Sequence, residues 1–414
     1  MSVTDSTKFT DLTNEIDVAS HDAFLGGVPW DQFARLRAEA PVFWHRQVEP
    51  EQPEGGFWVL TRHADVVKVN RQWENFSSQR MGAILSDQRP DLDMARMILE
   101  LDPPEHTRLR TLVSRGFTPK VIRSMDGHFR EVAGRVIQEA VDSGTFDFVT
   151  EIAAELPLVA IAELLGIPVE DRHKVFRWSN AMIGANDPEY AGAPDMAQVA
   201  MGELYMYANA LAEARKIEPK QDIITTLLAA DGDQQLSEHE FDLFVLLLSV
   251  AGNETTRNAT SQGMLAFIEH PDQWKLLKSD PAKYLDGAIE EVLRWGTPVM
   301  HFRRTATNDM ELHGQQIKED DPVVIFYISA DRDEDVFTDA MTFDITRSPN
   351  PHLAFGGGGP HHCLGVSLAR LEMRIMFEEL LARVDHLELV APAERLRSNF
   401  INGIKHLNVT ATPA

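Results

Sequence analysis

The 414-residue chain carries 39 basic against 64 acidic side chains, a formal net charge of −25, and 43% of its residues are hydrophobic. That apolar content excludes wholesale disorder, and the acidic balance argues against a nucleic-acid backbone as partner. A single cysteine, Cys363, excludes an internal disulfide and every multi-cysteine zinc or iron–sulfur site.

In chain order, the polar N-terminus has no basic region followed by an apolar stretch, so it does not read as a secretory leader; residues 1–15 are expected to be flexible. Residues 57–60 read as a strand. Pro103-Pro104 introduces a helix on which His106 and Arg110 stand four apart. From 125 to 295 long amphipathic stretches predict helices, broken at Gly166-Ile167-Pro168 and at Asp187-Pro188-Glu189. The greasiest run, 243–251, is nine residues long and contains Ser249. A membrane span needs about 20 apolar residues, so no span is expected and the chain reads as cytoplasmic.

A helix over 288–295 sets Glu291 and Arg294 three apart, a spacing common on any charged helix. A β-like stretch at 298–302 leads to Arg304, and 322–327, 387–390 and 406–410 read as further strands. A long amphipathic helix is expected over 366–384. No repeat, low-complexity tract or linker is visible. The expected fold is mainly α with a small β portion, and residues 16–414 read as one domain.

Two stretches carry chemistry. In Phe355-Gly-Gly-Gly-Gly-Pro-His-His-Cys363-Leu-Gly365, four glycines precede the lone cysteine, and the 366–384 helix follows at once. Glycines permit positive φ and close approach to a flat object. A cysteine at a helix N-terminus faces unpaired N–H groups that lower its pKa, and a haem iron needs one such thiolate. Upstream, Ala251-Gly252-Asn253-Glu254-Thr255-Thr256 closes the 243–250 apolar run. Ala251 and Thr255 share one helical face, as do Gly252 and Thr256. The small residues predict a notch able to hold dioxygen over a metal, with a hydroxyl and a carboxylate nearby to relay protons.

The cysteine loop resembles the haem-binding signature of the cytochrome P-450 superfamily, and 251–256 resembles that superfamily's oxygen-binding helix. The resemblance implies haem b between these two helices, with Cys363 as its iron ligand, Thr255 in oxygen activation and Glu254 in proton relay. It places His106, Arg110, Arg304 and His361 at the haem propionates, where two buried carboxylates need donors. Ala251, Gly252, Phe355, Gly356 and Gly365 are expected to line the cofactor. Glu291, Arg294 and Arg347 match the superfamily's buried structural network. One departure stands out: Phe355 lies eight residues before Cys363, where the superfamily pattern has an aromatic residue seven before.

Further segments, among them Trp178-Ser-Asn-Ala-Met182, Glu269-His-Pro-Asp-Gln-Trp274 and Asn402-Gly-Ile-Lys-His406, resemble a bacterial branch of sterol side-chain hydroxylases. The lengthened loop and Asn350-Pro351-His352 resemble relatives acting on methyl-branched lipids. The implied activity is terminal hydroxylation of a steroid side chain or branched lipid by a monooxygenase using O2. Met81, Ile84, Trp178, Met182, Val299, Met300, Phe302 and Phe400 are candidate pocket residues. An apolar lining would suit a terpene or an aromatic equally. A peroxide-driven hydroxylase and a haem-binding sensor without turnover are the other readings. Residues 101–130 hold six Arg or Lys against three acids. In an acidic chain that positive segment suits an acidic electron donor, expected to be a small ferredoxin served by a ferredoxin reductase.

Overall fold

The structure, a computed structural model, describes residues 12, 15–47, 55–85, 96–192, 195–230, 232 and 235–414. The N-terminal stretch expected to be flexible lies outside these residues except at positions 12 and 15, and Leu12 is buried.

Helices dominate. Those that build the site are α1 (His63–Arg71), α2 (Glu105–Ser114), α3 (Asp126–Ser143), α4 (Glu155–Leu165), α5 (Arg172–Ile183), α6 (Met196–Ile217), α7 (Glu238–Glu269), α8 (Pro281–Gly296) and α9 (Val366–Arg383). The 32-residue α7 starts at a capping box: Ser237 Oγ accepts the Glu240 N–H, and the Glu240 carboxylate accepts the Ser237 N–H. It runs through the middle of the helical layer against α4, α5, α6, α8 and α9. From Asn253 to Phe267 nearly every α7 side chain is buried, including eight polar ones, which need partners from the surrounding helices.

The main sheet has strands β1 (Val42–Arg46), β2 (Gly56–Leu60), β3 (Phe76–Ser77), β4 (His301–Ala306) and β5 (Pro322–Phe326), in the order β1-β2-β5-β4-β3. β2 and β5 pair in parallel with Trp58 opposite Val323, and the remaining pairs are antiparallel. Arg304, expected after a strand at 298–302, lies inside β4. The expected strand at 322–327 ends one residue early, because Tyr327 opens a short helix. The stretch 406–410 divides into Ile404–His406 and Asn408–Pro413, which join different sheets.

Candidate active site

Cys363 sits where a turn runs into α9. Its N–H donates to Phe355 O at 3.0 Å, and the Gly356 N–H donates to Leu353 O at 2.7 Å. Gly356, Gly358 and Gly359 have φ of +91°, +89° and +76°, a region L side chains avoid. A Cβ on Gly359 would lie 2.1 Å from Asn70 O, and one on Gly357 3.0 Å from Val67 Cα. The glycine run therefore lies on α1, and only Gly356 has the space expected beside a cofactor. The Cys363 side chain is free and exposed. Even so, burial by the surrounding protein pushes the thiol up, against the Gly365 N–H and the Arg110 and Arg370 guanidinium groups. Burial thus opposes the lowering expected at a helix N-terminus; a coordinated metal would deprotonate the thiol.

Four basic groups from distant parts of the chain converge beside this loop. The His106 and His361 rings are 4.5 Å apart, centroid to centroid. Burial, Arg110 and residual attraction to Asp102 leave His106 at about 4; burial, Arg304, His106 and Arg110 bring His361 down to about 2. Burial also lowers Arg304 and Arg110. His106 Nδ1 is buried without a partner. The nearby carboxylate, Asp102, is already held by Ser77 Oγ and the Ser78 N–H. Crowded donors that suppress one another's protonation fit a ligand that brings two carboxylates into the core, so the residues present fit a haem.

The oxygen-helix motif divides into two faces. Ala251 is exposed and Thr255 half-buried, and the Thr255 hydroxyl donates to Ala251 O at 2.7 Å. Gly252 faces elsewhere: a Cβ there would stand 2.1 Å from Ile161 Cδ1 of α4. Its small size serves helix packing, which corrects the expected Gly252–Thr256 notch; the small pair on the open face is Ala251 with Thr255. Glu254 is 1% exposed and pairs with Arg257, one turn along α7. Its other oxygen accepts the Ser179 hydroxyl at 3.1 Å, Asn253 donates to Ser179 at 2.9 Å, and Arg257 donates to Asn180 at 2.9 Å. The carboxylate is held in the α5–α7 interface by residues the sequence reading did not single out. Arg257 was visible at i+3; Ser179 and Asn180 are about 75 residues away in sequence.

Glu291, Arg294 and Arg347 do form one buried network. Arg294 makes a two-pronged pair with Glu291 at 2.7 and 2.8 Å and donates to the carbonyls of Asp331, Ala340 and Thr342. Arg347 and Asn350 add donors to Glu291. Next to it, Glu290 takes both prongs of Arg370 and the His352 ring. Burial raises the Glu290 carboxyl, but His352 and Arg370 outweigh it and hold the group at about 2.

Of the pocket candidates, Met81, Ile84, Met182, Val299, Phe302 and Phe400 are half-buried. The Phe302 and Phe400 rings meet edge to face at 5.7 Å between centroids, and Val299 bridges to Ile401. Trp178 and Met300 are corrections. The Trp178 indole N–H donates to Glu203 at 2.7 Å and its ring packs on Tyr207 of α6, while Met300 is 1% exposed inside the N-terminal apolar cluster. The positive segment also thins out: Arg108 pairs with Glu105 and Glu240, Arg130 with Asp126 and Glu378, and Arg110 is half-buried.

A cytochrome P450 family profile matches residues 195–407. A steroid C26-monooxygenase of Rhodococcus jostii (strain RHA1) is 46% identical over 96% of this chain and 85% of its own length. The chain belongs to the cytochrome P450 family. A methyl-branched lipid omega-hydroxylase of Mycobacterium tuberculosis (strain ATCC 25618 / H37Rv) is 41% identical over 91% of this P450 and 90% of its own length. Among solved structures, a Mycobacterium marinum cytochrome P450 in complex with pseudoionone superposes with a TM-score of 0.88 at 37% identity, covering 95% of this chain and 98% of that one. The P450 is a haem-thiolate monooxygenase with a cysteine-ligated haem b, and it requires redox partners and a lipophilic substrate. Among the described residues, no helix is long and apolar enough to cross a membrane.

Proposed function

We propose that this P450 inserts one atom of O2 into a terminal methyl C–H bond of a steroid side chain or methyl-branched lipid. The second oxygen leaves as water, consuming two electrons and two protons. One observation carries the substrate class: relatives named for steroid C26 and methyl-branched lipid omega positions match 91–96% of the chain at 41–46% identity.

In this reading residues 16–414 act as one catalytic unit. Cys363 ligates the iron, while His106, Arg110, Arg304 and His361 hold the propionates. Phe355, Gly356, Gly365 and Ala251 line the cofactor's surroundings, while Gly252 serves the packing of α7 on Ile161. Bound haem supplies the oxygen-binding iron and its redox chemistry. Thr255 holds a hydroxyl proton on the open face of α7, and Glu254 replenishes it. The Glu254 side chain must leave Ser179 and Arg257 to do so, because its carboxylate is held in the α5–α7 interface. Met81, Ile84, Met182, Val299, Phe302 and Phe400 exclude water from the substrate.

The test is a spin-state titration of the ferric protein with sterols, methyl-branched lipids, terpenes and aromatics. Sterols or branched lipids are expected to bind at least about tenfold more tightly than the rest, about 1.4 kcal/mol, and to leave with a terminal hydroxyl. Tighter terpene or aromatic binding would sink the substrate class. With the preferred substrate, Thr255→Ala is expected to lower product per electron by about 10²-fold, the scale of a lost proton-transfer group, with hydrogen peroxide released instead. Full coupling in that variant would remove Thr255 from the relay.

Electrons arrive, in this proposal, from a ferredoxin reduced by a ferredoxin reductase. Arg115, Lys120 and Arg123 remain exposed on the positive segment, and a positive patch steers an acidic protein with strong salt dependence. Exchanging Arg115 and Lys120 for Glu is expected to slow reduction by a ferredoxin about tenfold at low salt and flatten its salt dependence. An unchanged rate would exclude this surface.

A further inference from the structure

The proximal side of the site holds a charge relay of side chains that neither the structural network nor oxygen activation uses. It starts on α8. Glu290 Oε1 accepts Arg370 Nε at 2.6 Å and Glu290 Oε2 accepts the second prong at 2.7 Å. The same carboxylate meets His352 Nε2 at 3.0 Å. The Ala354 N–H points at His352 Nδ1 at 3.3 Å, which makes Nδ1 the acceptor and leaves Nε2 to donate to Glu290. His352 is 3% exposed at its side chain, so this bond is sheltered. One carboxylate thus clasps the cysteine loop on both sides, at His352 before it and at Arg370 after it.

The clasp also places a charge. The Arg370 guanidinium lies over the Phe355 ring, 4.9 Å from its centroid. Phe355 is the residue whose carbonyl takes the Cys363 N–H. Arg370 acts electrostatically on the Cys363 sulfur in the direction that favours its negative form. A cation close to a redox centre stabilises the state that has gained an electron, and groups around a ligating cysteine tune potential in this way.

We propose that Glu290, His352 and Arg370 are positioning residues that hold a partly compensated positive charge over Phe355 and beside Cys363, and so set the potential at which this P450 accepts its first electron. The inference rests on Cys363 being the iron ligand. It predicts opposite signs for two variants. Arg370→Gln removes the cation and makes reduction harder. Glu290→Gln keeps Arg370 and the hydrogen-bonding geometry but removes the compensating charge, which makes reduction easier. Arg370 is 41% exposed, so solvent screens the effect. The expected change is about threefold in the reduction equilibrium in each direction, or about 28 mV at 59 mV per decade for a one-electron couple.

The experiment is a spectroelectrochemical titration of substrate-free holoprotein for the wild type, Arg370→Gln, Glu290→Gln and Arg370→Lys. Each is also scored for the red-shifted Soret band of its reduced carbon monoxide complex. The expected result is a midpoint that falls in Arg370→Gln, rises in Glu290→Gln and stays closer to wild type in Arg370→Lys, which keeps the charge. Loosened packing alone would move the two neutralising variants the same way. Unchanged midpoints, or shifts of one sign, overturn the proposal. If the wild type lacks the thiolate band, the Cys363 assignment fails first and takes this inference with it. If Glu290→Gln does not fold, the contrast between Arg370→Gln and Arg370→Lys still decides.

Discussion

Cys363→Ser is expected to abolish the red-shifted Soret band of the reduced carbon monoxide complex and reduce turnover to background, while leaving the haem-free fold intact. Serine fits the same backbone: the N–H bond to Phe355 O does not depend on the side chain, and neither do the positive-φ glycines before it. What changes is the donor. A hydroxyl gives up its proton far less readily than a thiol, so the electron push of a thiolate is lost. Burial already opposes ionisation at Cys363, and it opposes that of a serine hydroxyl in the same place as well. The measurement pairs the carbon monoxide difference spectrum with denaturant unfolding of haem-free protein. The fold should change by no more than about 0.5 kcal/mol, as for sites away from core packing. A persisting thiolate band would exclude Cys363 as ligand.

Arg294→Met is expected to be the most destabilising single change in the proximal half of the molecule. Arg294 and Glu291 are both fully buried and joined by two short bonds. Removing one partner of such a pair costs about 3–5 kcal/mol, because the other charge remains buried. Arg347 and Asn350 soften the loss at Glu291, but the carbonyls of Asp331, Ala340 and Thr342 also lose donors. Against a total stability of about 5–15 kcal/mol, the variant should show a large drop in soluble yield and in urea midpoint. Arg294→Lys restores the charge without the fork and should recover less than half of the loss. A shift below about 1 kcal/mol for Arg294→Met would mean that the network is peripheral to stability.

Both predictions fall on residues that the sequence exposed, and the reason is physical. Cys363 is the only residue of its type and lies between a glycine run and a helix; Glu291 and Arg294 sit one turn apart on a strongly patterned helix. Features that depend on a distant partner were hidden. Nothing local says that Gly252 is small because Ile161 presses on it, or that Gly357 and Gly359 face α1. Trp178 reads as a pocket aromatic until Glu203 and Tyr207 claim it. Nothing local singles out Glu290 and Arg370, since their significance comes from a bond spanning 80 residues. The short strands Val42–Arg46 and Phe76–Ser77 left little alternation to detect, and the 406–410 run concealed a change of sheet at Leu407.

The parallel pairing of β2 with β5 has a consequence for how the chain is made. The Trp58 indole that donates to Asp321 at 2.8 Å reaches across 263 residues of sequence. At a synthesis rate of about 5–20 residues per second, β2 waits roughly 13–53 s for its neighbour to be made. Throughout that interval the β1–β2 pair presents an unpaired edge, with Phe57 and Val59 lacking Met300, Val324, Phe326 and Ile328, the later-made members of their apolar cluster. A ribosome-stalled chain ending before residue 322 therefore carries a sticky, incomplete sheet, and chaperone demand in a cell producing this P450 should be greatest before β5 is complete.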